Sequence, residues 1–141
     1  PLTGRSHFDA DAALAQTLGA AAQRCVDRAD ALVGAAHLRD FGIAAARVHR
    51  GLIVSGDRFV ASAAHSAELR AALPGALAVE MEGAAVAQAC ADFGRPFAVL
   101  RTVSDRADDS AHVDFTRFIA EVASIYTRAI VEDWLQHGAT P

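Results

Sequence analysis

The chain has 141 residues, of which 52% are hydrophobic and 21% are charged, and these values are typical of one globular domain with a substantial core. The net charge of −4 and the lack of a basic cluster argue against a nucleic-acid-binding surface. Since no run of about 18 apolar residues occurs, the sequence predicts no transmembrane helix, and we expect no membrane partner.

The first third of the sequence predicts two helices and a strand. Asp9 is placed to cap a helix that runs through residues 14–25, where apolar residues recur at the helical period. A second helical piece covers roughly 29–39. A short apolar run at 51–54 then ends in Ser-Gly-Asp, which is typical of a strand that leads into a loop.

The rest of the sequence alternates helices with apolar strands. The predicted elements are a short helix at 65–73, a strand at 76–79, a helix at 82–93, a strand at 97–103 and a long amphipathic helix capped by Asp114. This alternation indicates an α/β fold with a mainly parallel sheet and flanking helices. The apolar runs favour strands that are covered on both faces. Three strands make a thin sheet, so we expect further strands to lie upstream of Pro1 or to come from other chains.

Polar clusters follow each of the three predicted strands directly. They are SGDRF at 55–59, EME at 80–82 and SD at 104–105. In open α/β sheets, ligands bind outside the carboxyl ends of the strands. We therefore expect the three clusters to converge on one site.

The two acids of the second cluster have different interpretations. Glu82 begins the predicted helix, where the helix dipole favours a negative charge. It is either a plain helix-start acid or an ionised carboxylate aimed at ligand hydroxyl groups. Glu80 is interpreted as structural, because a buried Arg101 inside the predicted strand FAVLRTV would need an acidic partner.

The other two clusters also leave alternatives open. Asp105 is either a turn residue or helix cap, or a general acid whose carboxylate Ser104 orients by a hydrogen bond. Phe59 either belongs to the core or stacks on a planar ligand ring.

Signatures of cofactor and metal chemistry are missing from the sequence. It contains no glycine-rich phosphate loop, no Gly-x-Ser-x-Gly elbow and no metal-ligand spacing, so we expect no cofactor and no metal. Cys25 and Cys90 match no redox motif, and their simplest interpretation is a reduced, cytoplasmic chain.

Taken together, the segments GLIVSGDRF, AVEMEGAAVAQAC and PFAVLRTVSDRAD resemble the nucleoside phosphorylase/nucleosidase superfamily. The resemblance runs from about Phe8 to the end of the last helix, and the three motifs occur in the family's order with similar intervals. Within the superfamily, the pattern SD-x-AD is most similar to the 5′-methylthioadenosine/S-adenosylhomocysteine nucleosidases.

The resemblance implies hydrolysis of the N-glycosidic bond of 5′-methylthioadenosine or S-adenosylhomocysteine, with release of adenine. Asp105 would protonate N7 of the departing adenine, and Ser104 would orient it. Glu82 would hold the ribose hydroxyls. The remaining substrate-binding residues would be Met81 against the sugar, Phe59 stacked on adenine, the Val60 backbone on the base edge, and Phe115 along the base and alkylthio end.

The resemblance also implies that residues 1–141 are the C-terminal portion of a single nucleosidase/phosphorylase domain with a phosphorylase/hydrolase-like fold. The water-activating glutamate would then lie upstream of this chain. We expect a homodimer that takes a small-molecule purine nucleoside. Two alternatives stay open: a phosphorolytic purine nucleoside phosphorylase, and a non-catalytic nucleoside-binding fragment.

Overall fold

Two parallel strands and flanking helices form a mixed α/β fold in a computed structural model that describes residues 4–60, 62–104 and 115–138. The helices and strands are α1 (Ala12–Val26), α2 (Ala35–Asp40), β1 (Leu52–Ser55), α3 (Ala63–Ala72), β2 (Ala76–Glu80), α4 (Gly83–Asp92), α5 (Phe115–Phe118) and α6 (Ser124–His137). Short π-helical turns precede α2 and α6, at Asp30–Gly34 and Ile119–Ala123. The predicted α/β class with parallel pairing is confirmed.

The sheet is smaller and more exposed than predicted. β1 and β2 pair in parallel, but the described residues 97–104 form no strand, so the predicted strand at 97–103 is wrong. An apolar segment becomes a strand only when a neighbouring strand completes its hydrogen bonds, and this segment has no such pairing among the described residues. Leu52 is 44% exposed and Leu77 is 54% exposed, so the prediction of strands covered on both faces is also wrong.

The core lies among helices, beside the sheet. It is formed by α1, the first π-helical turn, α2 and the C-terminal helical segment, which comprises residues 115–137. The buried residues are Ala21, Ala22, Cys25, Val33, Leu38, Phe118, Val122, Tyr126 and Ile130. Phe41 meets Phe118 edge to face, with ring centroids 5.5 Å apart, a geometry that aromatic quadrupoles favour.

The N-terminus of α1 is capped two residues later than predicted. The Oδ1 atom of Asp11, instead of Asp9, accepts a hydrogen bond of 2.8 Å from the Leu14 N–H. The backbone N–H of Asp11 also donates to the Phe97 carbonyl at 2.8 Å, which ties the start of α1 to the segment after α4. Two aspartates precede the apolar run, and this tertiary contact explains why the second is the cap.

Polar contacts join α1 to α6. Asp133 on α6 is 8% exposed and accepts a 2.8 Å hydrogen bond from Arg24 Nε on α1. That hydrogen bond lowers the pKa of Asp133, with help from the charges of Arg24, His137 and Arg28, although burial opposes the shift. At the next residue of α6, the Trp134 indole N–H donates to Thr17 Oγ1 at 2.9 Å.

The C-terminal helical segment runs from α5 through the π-helical turn into α6. Four of its residues recur at every fourth position and are buried in the core: Phe118, Val122, Tyr126 and Ile130. Asp114, the predicted cap, lies outside the described residues. Among the described helices, none is both long enough and apolar enough to cross a membrane.

Candidate functional site

A cleft of about 680 Å³ runs along β2 and past the carboxyl end of β1, and its volume is within the size range of small-molecule sites. The structure places eight of the nine predicted site residues along its walls: Phe59, Val60, Glu80, Met81, Glu82, Arg101, Ser104 and Phe115. The ninth, Asp105, follows Ser104 directly and lies outside the described residues. The roles assigned to these residues stay predictions, but their convergence makes this cleft the candidate site.

The two strand ends and the start of α4 are joined by hydrogen bonds. Ser55 and Glu80 are register partners at the ends of the parallel strands, and the Gly56 N–H donates to the Glu80 carbonyl at 3.1 Å. The Ser55 hydroxyl accepts from the Ala84 N–H at 3.0 Å. This bond ties the end of β1 to the start of α4, while the parallel pairing ties β1 to β2.

The Glu80 carboxylate caps helix α4. Its Oε2 atom accepts from the Glu82 N–H at 3.0 Å, and the Gly83 N–H donates to both carboxylate oxygens, at 2.9 and 2.8 Å. The side chain is only 3% exposed. Helix N-termini carry unpaired N–H groups and a partial positive charge, and a buried carboxylate satisfies both. Glu80 is thus the acid that completes the helix, while Glu82 remains available to the cleft.

Opposing effects act on the ionisation of Glu80. Burial alone would raise the pKa of its carboxyl group, but the Ser55 hydroxyl, the N–H groups of Glu82 and Gly83 and the charge of Arg101 together lower the pKa below its ordinary value. Since the folded pKa lies below the unfolded one, ionised Glu80 stabilises the fold at neutral pH. This contribution is lost as the pH falls through the folded pKa.

Gly83 leaves the space that this cap requires. A Cβ atom at this position would lie 2.8 Å from Glu80 Oε1 and 3.1 Å from Glu80 Cδ. Gly83→Ala should therefore displace the carboxylate and lower the free energy of unfolding by about 1–3 kcal/mol, the cost of unsatisfied buried polar groups. The gain in helix propensity, at most about 1 kcal/mol, is smaller. Urea unfolding followed by circular dichroism measures the change.

Gly75→Ala is the matched control for that measurement. No atom lies within 4 Å of a Cβ built on Gly75, so the added methyl group should leave stability unchanged or slightly raised. Equal stability of the Gly83→Ala variant and the unmodified chain would contradict the close approach of Glu80.

Glu82 and Arg101 form the charged rim of the cleft. Glu82 occupies the N-cap position of α4, makes no side-chain capping bond and leaves its side chain 68% exposed. Arg101 Nη2 lies 3.0 Å from Glu82 Oε2 and 3.5 Å from Glu80 Oε2. Arg101 was expected to be buried and paired with Glu80. The ion pair with Glu80 is present, but Arg101 is 42% exposed instead of buried, and it lies closer to Glu82.

Aromatic and apolar side chains form the rest of the predicted lining. Phe59 is 61% exposed and Phe115 is 48% exposed, so both rings can reach a planar ligand. Val60 beside Phe59 is buried, which anchors this loop, and Met81 between the two acids is exposed. The cleft therefore combines exposed aromatic rings with an exposed carboxylate.

Two residues of the site were missed by sequence reasoning. Ser55 was seen only as part of a polar cluster, although its place at the last position of a strand signalled a contact with the neighbouring strand end. Gly83 was not among the predicted site residues. Its position directly after Glu80-Met81-Glu82 was the available signal, because a capping carboxylate needs space at the first residue of the helix.

The described residues contain no group of three or more His, Cys, Asp or Glu side chains arranged to hold a metal ion. Cys25 is buried and Cys90 is partly buried, and both are free thiols. Among the described residues that line the cleft, the polar groups available to a ligand are carboxylates, guanidinium groups, hydroxyls and backbone amides.

Comparison with known protein families agrees with this geometry. A family model described as the phosphorylase superfamily matches residues 2–135. The matched region contains both strands, α4 and all nine predicted site residues, and it supports the processing of nucleosides without selecting a substrate or the acceptor, water or phosphate. The chain belongs to the phosphorylase superfamily.

Proposed function

We propose that this chain forms the base-binding and ribose-binding side of a nucleosidase that hydrolyses 5′-methylthioadenosine or S-adenosylhomocysteine and releases adenine. The family match supports nucleoside chemistry. The likeness of the SD-x-AD segment to the nucleosidase branch supports hydrolysis and an adenine base.

The observation that carries the proposal is the position of Glu82. Its carboxylate is largely exposed, borders the same cleft as Phe59 and Phe115, and projects from a helix start that Glu80 holds in place. A carboxylate in this position can accept hydrogen bonds from ribose hydroxyls. It can also stabilise the positive charge that develops on the sugar as the N-glycosidic bond breaks.

The base would lie on the aromatic side of the cleft. Phe59 would stack on one face of adenine, the backbone of Val60 would bond to the base edge, and Phe115 would line the opposite end. Asp105 would donate a proton to N7, so that the base departs neutral, and Ser104 would orient that carboxyl group. Water would then attack the sugar carbon.

Phosphorolysis is the competing activity. It differs from hydrolysis in the acceptor of the sugar, which is phosphate instead of water. Adenine release from 5′-methylthioadenosine should proceed equally well in phosphate-free buffer and in millimolar phosphate, and the sugar product should carry no phosphate. The assay uses protein expressed from its complete reading frame, with chromatographic detection of both products. Strict dependence on phosphate would overturn the hydrolase assignment, and tight nucleoside binding without turnover would favour a binding module.

Three further features belong to the same proposal. The ligand is a small purine nucleoside, the working form is a homodimer as in related nucleosidases, and the location is cytoplasmic. The free thiols of Cys25 and Cys90 are compatible with a reducing compartment. Light scattering during size-exclusion chromatography measures the oligomeric state.

A further inference from the structure

We propose that Glu80 and Ser55 act as a positioning pair that fixes the direction and the hydrogen-bonding capacity of Glu82. This inference rests on the proposed function, because it takes Glu82 as the ribose-binding carboxylate. Neither Glu80 nor Ser55 would touch the sugar. Both would act through the backbone at Glu82 and through Arg101.

The first link is the backbone at the root of the Glu82 side chain. The N–H groups of Glu82 and of the following Gly83 both donate to the Glu80 carboxylate, at 2.8–3.0 Å. These bonds hold the peptide planes on both sides of the Glu82 Cα atom. Because catalysis and tight binding need groups held within a fraction of an ångström, fixing these two planes restricts where the Glu82 carboxylate can point.

The second link is the shared guanidinium. One nitrogen of Arg101 lies 3.0 Å from Glu82 and 3.5 Å from the buried carboxylate of Glu80. While Glu80 is ionised, the positively charged Arg101 nitrogen interacts with both carboxylates. Its interaction with Glu82 is then weaker, so lone pairs of Glu82 stay available to ribose hydroxyls. Without the charge of Glu80, Arg101 would pair with Glu82 alone and compete with the sugar.

The third link is the Ser55 hydroxyl. It accepts from the Ala84 N–H at 3.0 Å, and Ser55 is the register partner of Glu80, so it fixes the start of α4 relative to the paired strand ends. Loss of this hydroxyl would leave Glu80 charged but the start of α4, which Glu80 caps, less firmly placed. Ser55 should therefore show the same effect as Glu80, in weaker form.

The test compares two ligands that differ by the sugar. Calorimetry measures the dissociation constants of adenine and of a C-nucleoside analogue of adenosine, in which a carbon–carbon bond replaces the glycosidic bond and prevents turnover. In Glu80→Gln, the nucleoside should bind about tenfold more weakly, the loss expected for a charge-assisted contact, while adenine binding stays within about twofold. Ser55→Ala should weaken the nucleoside about fivefold, and Ser55→Thr, which keeps a hydroxyl, should restore it.

Asp133→Asn is the control for a purely structural loss. Asp133, like Glu80, is a buried carboxylate that is ion-paired with an arginine, but it does not line the cleft. Its substitution should lower the melting temperature without changing the preference for the nucleoside over adenine. All measurements are made below the melting temperature of the least stable variant.

The outcomes separate this inference from the proposed function. If the unmodified protein does not bind the nucleoside more tightly than adenine, the ribose-binding role of Glu82 fails, and the inference fails with it. If the unmodified protein shows that preference and Glu80→Gln retains it in full, the positioning role alone is overturned. If Glu80→Gln does not fold, an unchanged preference in Ser55→Ala overturns the inference.

Discussion

Replacement of Glu82 by glutamine should lower the rate of adenine release by on the order of 100-fold, the loss expected when one electrostatic contact to the transition state is removed. Glutamine has nearly the same size and can still accept a hydrogen bond from a ribose hydroxyl. It lacks the negative charge that stabilises a positively charged sugar. The decrease should therefore appear in kcat as well as in kcat/KM, measured by adenine release over a range of substrate concentrations.

Glu132→Gln is the matched control for this experiment. Glu132 on α6 is 55% exposed and lies 2.8 Å from Arg128 Nε, so it is also an exposed glutamate paired with an arginine, but outside the cleft. Its substitution should leave both kinetic constants unchanged. A Glu82→Gln enzyme with a normal kcat would reject the electrostatic role of Glu82.

Asp105→Asn should abolish measurable turnover and leave the fold intact. Asparagine can donate a hydrogen bond to N7 of the base but cannot transfer a proton, and general acid catalysis contributes about 100- to 10,000-fold. Adenine release measures turnover, and circular dichroism measures folding.

A second aspartate in the same stretch of sequence provides the comparison. Asp109→Asn makes the same chemical change four positions further along the chain, outside the SD-x-AD pattern, and it should retain activity. Normal adenine release by Asp105→Asn would reject its role as the acid, and equal losses in both variants would show that the effect is not specific to position 105.

Where residues near both ends of an element mark where it begins and ends, the predicted bounds agree with the structure to within one residue. The helix predicted at 82–93 is observed at Gly83–Asp92, and the strand predicted at 76–79 is observed at Ala76–Glu80. At the helix C-terminus, Gly94 adopts a φ of 60°, and the N–H of Arg95 donates to the Cys90 carbonyl at 2.8 Å. A glycine in the left-handed region is the usual helix stop, so its identity alone located this boundary.

Features that depend on distant partners were not predicted. The segment at 97–103 has the apolar pattern of a strand, but pattern alone cannot provide the neighbour that a strand needs. Arg101 within it was given one acidic partner from sequence, whereas the structure places one of its nitrogens near two carboxylates. The contact with Glu82 depends on how α4 begins relative to this segment, which no residue near Arg101 reveals.

The C-terminal helical segment makes the cleft sensitive to changes in the interior of the protein. Beside its buried row, a second row at the same four-residue spacing lines the cleft: Phe115, Ile119, Ala123 and Thr127. The segment thus packs against the core on one side and lines the cleft on the other. A change of side-chain volume at Val122 would shift Ile119 and Ala123 against a ligand. Substitutions in the core would therefore change which ligands the cleft accepts, and directed evolution of specificity should sample interior positions as well as those that line the cleft.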